Sequence, residues 1–138
     1  MYSQKPLLEL LRAGKVSGES GIPKHIETVI SNVFLFNERV YKVYKNDNDF
    51  FNKGFRDISG RTERFSFTER DFEWNKTLSP RIYLQCIGVV VKSNVIQVVA
   101  ADNQAEELVI VMQRVDTNDV LFEKLKNDEI SLNDSLEI

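Results

Sequence analysis

Lys42 and Asp71 are the residues whose types and placement invite chemistry. Lys42 lies within residues 25–45, HIETVISNVFLFNERVYKVYK, which read as two or three short antiparallel strands. β-Branched and aromatic residues favour strands there. Alternation puts Val40, Lys42 and Tyr44 on one face of the last strand, with Tyr41, Val43 and Lys45 on the other. Asp71 falls on a later helix, in the middle of its apolar side. A strand lysine beside a helix acid can hold the phosphates of a nucleotide. The ammonium is a flexible point charge suited to phosphate, and the acid fixes its direction. Val33 and Val40 would offer the base an apolar surface. Ser31 and Asn32, at a bend between strands, would offer backbone N–H groups to phosphate. A plainer use stands beside this one. Strand lysines also snorkel along apolar neighbours or guard an edge. Asp71 equally suits a local salt bridge or hydrogen bond, and Glu27 a solvent-facing charge.

The elements that must position these residues follow from pattern. Pro6 with Leu7, Leu8, Leu10 and Leu11 predicts a short amphipathic helix that exits at Gly14. Residues 46–62 are polar and broken, a connector held by Phe50, Phe51 and Phe55. Ser66 and Glu69 fit a capping box, and Pro80 bounds the far end, so a helix is predicted over 67–78. Phe67, Asp71, Trp74 and Leu78 fall on one stripe of it. Strands are predicted over 82–91, 94–100 and 107–115, and a short helix over 120–126. The predicted fold is α+β, a five-stranded antiparallel sheet with one packed helix. The predicted organisation is an N-terminal helix and loop over 1–24, a main unit over 25–115 and an acidic tail over 116–138.

Bulk properties limit the function classes. At 138 residues the chain has room for one hydrophobic core. With 42% hydrophobic and 28% charged residues it is an ordinary globular chain, not a disordered one. Residues 116–138 carry seven acids against two lysines, a net charge of −5 that leaves residues 1–115 at +2 within the overall −3. No basic stripe argues for nucleic acid. No apolar run reaches the roughly 18 residues of a membrane span. The single Cys86 excludes an intrachain disulfide and fits a reducing, cytoplasmic setting. In an apolar strand it reads as a small buried residue. His25 alone makes no zinc site, and neither a catalytic triad nor a metal cluster is apparent.

Two stretches carry a family resemblance. Glu27-Thr28-Val29-Ile30-Ser31 and Val40-Tyr41-Lys42-Val43-Tyr44-Lys45 resemble the E-T-H-x-S-x-V and V-Y-K-I-K-K segments of bacterial aminoglycoside-phosphotransferase-like proteins. The run FTERDFEWNKTLSPRIYLQCIGVV resembles the family's helix and next strand at Glu69, Asn75, Leu78, Pro80, Tyr83 and Leu84. The likeness covers about residues 25–130. It implies a protein-kinase-like small lobe that binds ATP and Mg2+ only within a complete two-lobed protein. By that resemblance Lys42 matches the nucleotide-phosphate lysine. Asp71 stands where the family has a helix Glu, one methylene shorter, while Glu69 is turned to the far side. Met112 falls at the adenine pocket, and Gln113 offers backbone groups to the base. Val29 replaces the family's His. Only 24 residues follow Arg114, and none resembles a catalytic loop. The chain by itself is therefore expected not to complete phosphoryl transfer. Its expected partner is a missing C-terminal lobe or another copy of the chain. The competing expectation is a stand-alone interaction or regulatory domain, dimeric through its uncovered surface.

Overall fold

A computed structural model describes residues 3–102 and 104–115. The elements run in the order α1 (Lys5–Arg12), β1 (Lys24–Glu27), β2 (Ser31–Leu35), β3 (Arg39–Tyr44), α2 (Asp49–Gly54), α3 (Arg61–Leu78), β4 (Tyr83–Lys92), β5 (Val95–Val99) and β6 (Glu107–Gln113). The strands form one six-stranded antiparallel sheet in the order β1-β2-β3-β6-β4-β5. The expected helix at 120–126 and the tail over 116–138 lie outside the described residues.

This corrects the expected architecture. The described unit has six strands and three helices, not a five-stranded sheet with one helix. The kinase-like small lobe, and the phosphotransferase reading attached to that shape, do not match this topology. The extra strand comes from residues 24–35. Thr28 caps a turn by accepting the Ser31 N–H at 3.0 Å, which separates β1 from β2 as a hairpin. The extra helix is α2, hidden in the polar connector. Asn48 caps it by accepting the Phe51 N–H at 2.8 Å.

Alternation along the strands builds two cores, one on each side of the sheet. Phe34, Phe36, Tyr41, Val43, Val109 and Val111 meet Leu7 and Leu11 of α1 on one side. Val33, Leu35, Val40, Tyr44, Ile110 and Met112 meet Ile58, Phe51, Phe67 and Phe72 on the other. The helices therefore flank the sheet, with α1 on one face and α3 on the opposite one.

α3 also differs from its expected form. It starts at Arg61, with Gly60 at the N-cap, so Ser66 and Glu69 lie inside the helix. Its buried residues are Arg64 and Thr68. Trp74 is 67% exposed and Leu78 64%, so the outer half of the predicted apolar stripe faces solvent. The reason is an ion pair that periodicity does not count. Arg64 and Glu107, both 1% exposed, hold α3 to β6 with Nε–Oε1 at 2.7 Å and Nη2–Oε2 at 3.0 Å. Arg64 also donates to the Ile58 and Ser59 carbonyls, and Gln4 donates to Glu107 at 3.0 Å. Buried charges persist where every lone pair and proton is engaged in this way.

Candidate functional site

β3 is an interior strand, and its register places Lys42 opposite Val33 of β2 and Ile110 of β6. Val40 and Tyr44, two residues to either side, are buried in the α3-facing core. Lys42 therefore projects toward α3 from mid-sheet, and it is half-buried. Its ammonium sits 4.9 Å from the centroid of the Tyr44 ring. A cation over an aromatic face is attracted by the ring quadrupole.

Tyr44 is itself held by α3. Its ring meets Phe67 edge-on, with centroids 4.8 Å apart and planes at 79°. Its hydroxyl donates to the Asp71 carboxylate. Asn75, one turn further on, donates to the other Asp71 oxygen at 3.0 Å. Phe67, Asp71 and Asn75 are spaced by four residues, so they line one face of α3. Tyr83 lies near the same acid. Burial, and then the charge of Asp71, raises its phenol above the ordinary tyrosine range. Lys42, Tyr44, Asp71, Asn75 and Tyr83 thus form one polar cluster at the α3 side of the sheet.

The other expected site residues are placed as follows. Val33, Val40 and Met112 lie on the same sheet face as Lys42, but they are 0%, 0% and 1% exposed within the core. Ser31 and Asn32 open β2 and are buried. The Ser31 N–H is taken by Thr28, and the Asn32 side-chain oxygen lies 2.8 Å from His25 Nε2. Gln113 is exposed at the end of β6, where its side chain donates to the Glu38 carbonyl at 3.1 Å. The structure brings Lys42 and Asp71 into one cluster, while Ser31, Asn32 and Gln113 have local partners of their own. Tyr44 was missed as a member of the set. Alternation puts it on the Lys42 face, but its bond to Asp71 of α3 leaves no signal in the sequence.

Glu69 is exposed and turned away. Glu27 pairs with Lys45 at 2.7 Å. The hydrogen bond from Lys45 is the main reason its carboxyl lies below the usual range, with the charges of Lys45, His25 and Arg12 adding to it. Burial, with a contribution from Glu69, pushes the Cys86 thiol up to about 11. At neutral pH Cys86 is a thiol and not a nucleophilic thiolate. Among the described residues no group of three His, Cys, Asp or Glu side chains is placed to hold a metal ion. No helix among them is long and apolar enough to cross a membrane.

Away from this cluster, an open concavity of about 1260 Å3 lies between α1 and the start of α3. Lys5, Arg12, Lys45 and Arg61 face Glu9, Glu27, Asp47 and Glu106 there, so its charge is balanced. No protein-family model, curated protein or solved structure matches the chain.

Proposed function

We propose that this unit binds the phosphate groups of a nucleotide, ATP with Mg2+, at Lys42. The reading rests on the Lys42 cluster for the phosphate contact and on the resemblance of residues 40–45 for the choice of ATP with Mg2+, not on a kinase-like architecture. The observation that carries it is a mid-strand lysine turned toward α3, its ammonium over a tyrosine whose hydroxyl is anchored to Asp71. A lysine in such a place is oriented without being buried completely. Its charge can serve an incoming anion. The burial of Val33, Val40 and Met112 confines the proposal to the phosphate end, because these side chains offer no open surface to a base. A complete site would then need atoms from a further protein unit, either another lobe or another copy of the chain. The lone thiol fits a cytoplasmic setting.

Titration of the chain with Mg·ATP tests this. Lys42→Ala is expected to weaken binding about tenfold, the effect of one lost charge-assisted contact. Equal affinity of the two forms would remove Lys42 from the site.

A stand-alone interaction domain is the second reading, favoured by the exposure of Trp74 and Leu78 one turn apart on α3. Its occupant would be a second copy of the chain. Trp74→Ser should then leave stability within about 0.5 kcal/mol of the parent, as for other surface positions. The same substitution should shift the sedimentation profile from dimer to monomer. A monomeric parent sinks this reading.

A further inference from the structure

We infer that Tyr44 is a positioning residue for the phosphate site, carrying the influence of Asp71 to Lys42. The inference rests on the Lys42 reading above. Two independent contacts fix the Tyr44 ring from α3. Phe67 packs on it edge-on at 4.8 Å, and Asp71 receives its hydroxyl. These two α3 residues are one turn apart, so they grip the ring at its side and its tip. Asn75 holds the Asp71 carboxylate in turn, through an amide donor at 3.0 Å. The ring thus has a set position, at 2% exposure, and the Lys42 ammonium lies 4.9 Å from its centroid.

The hydroxyl has a further consequence. Donating to a carboxylate makes the phenol oxygen more negative, and this enriches the face on which the ammonium sits. Asp71 therefore acts on Lys42 through Tyr44, both by placing the ring and by polarising it. Tyr44 need not touch the phosphates to affect their binding. It helps to set where the ammonium lies.

Calorimetric titration with Mg·ATP, on the full chain, separates the possibilities. Tyr44→Phe keeps the ring and the Phe67 contact but removes the hydroxyl. It should weaken binding roughly fivefold, about the worth of one hydrogen bond. Asp71→Asn should weaken it to a similar extent. In the Tyr44→Phe background, Asp71→Asn should add little, because the link is already cut. A purely structural role would lower the melting temperature without this non-additivity in affinity. Should Tyr44→Phe fail to fold, the 13Cε signal of Lys42 is followed in Asp71→Asn, and an unmoved signal overturns the inference. Tyr44→Phe binding like the parent overturns it too, as do fully additive losses. If Lys42→Ala itself binds like the parent, the phosphate site fails. If Lys42→Ala binds weakly while Tyr44→Phe binds normally, only the role of Tyr44 fails.

Discussion

Arg64→Met is expected to destabilise the fold by about 3–5 kcal/mol, the cost of leaving one member of a buried ion pair alone. Glu107 would lose both guanidinium contacts, at 2.7 and 3.0 Å, while remaining 1% exposed. Gln4 would still donate to it at 3.0 Å, but one neutral amide does not balance a carboxylate. The Ile58 and Ser59 carbonyls would lose their donor as well. The loss reaches beyond one bond, because Arg64 sits in the first turn of α3 and Glu107 opens β6. Together they tie the helix to the sheet. Arg64→Met/Glu107→Leu removes both charges and should recover most of the loss, since a buried pair often gives way to apolar residues at little cost. Denaturant midpoints of the three proteins decide the matter. A single-variant loss below about 1 kcal/mol would show that water reaches the pair.

That ion pair also shows why part of the fold was not legible in the sequence. Periodicity counts apolar residues, and it assigned α3 an inner stripe of Phe67, Asp71, Trp74 and Leu78. Phe67 does pack inward, and Asp71 is reached by Tyr44. Trp74 and Leu78 do not, because the helix is seated at its N-terminal end by a charge 43 residues away from its partner. No local pattern marks Arg64 and Glu107 as mates. α2 was hidden for a different reason. Its six residues are too few for a period, and only Asn48 before Asp49 signalled a start. The strand faces were legible, because a period of two survives in short segments. Val40 and Tyr44 fall in the core facing α3 while Tyr41 and Val43 fall in the other. Lys42 could thus be turned toward α3 from sequence. Tyr44 as its intermediary could not, because a hydrogen bond from β3 to α3 depends on how the two elements dock.

Gly88→Val is expected to destabilise the protein by about 3 kcal/mol or more, the upper range for overfilling a packed site. Gly88 lies within β4, paired with Val99 of β5 and Leu108 of β6. The connection from β5 to β6 has to step across β4, because β4 lies between them in the sheet. Residues of that connection press on Gly88. A Cβ there would stand 2.7 Å from the Ala105 methyl carbon and would run into the Ala100 carbonyl oxygen. Backbone cannot swing aside as a flexible side-chain end can. The Glu106 N–H, bonded to the Val89 carbonyl at 2.8 Å, fixes the connection beside this point. Gly88→Ala should already cost a substantial part of the same loss. Gly54 provides the contrast, since a Cβ there meets nothing within 4 Å. Gly54→Ala in α2 should be neutral or stabilise by about 0.5 kcal/mol, through the lower entropy of the unfolded chain. Thermal melts of these variants test the crossing directly. If Gly88→Val melts with the parent, the step over β4 is not closed at Ala100 and Ala105.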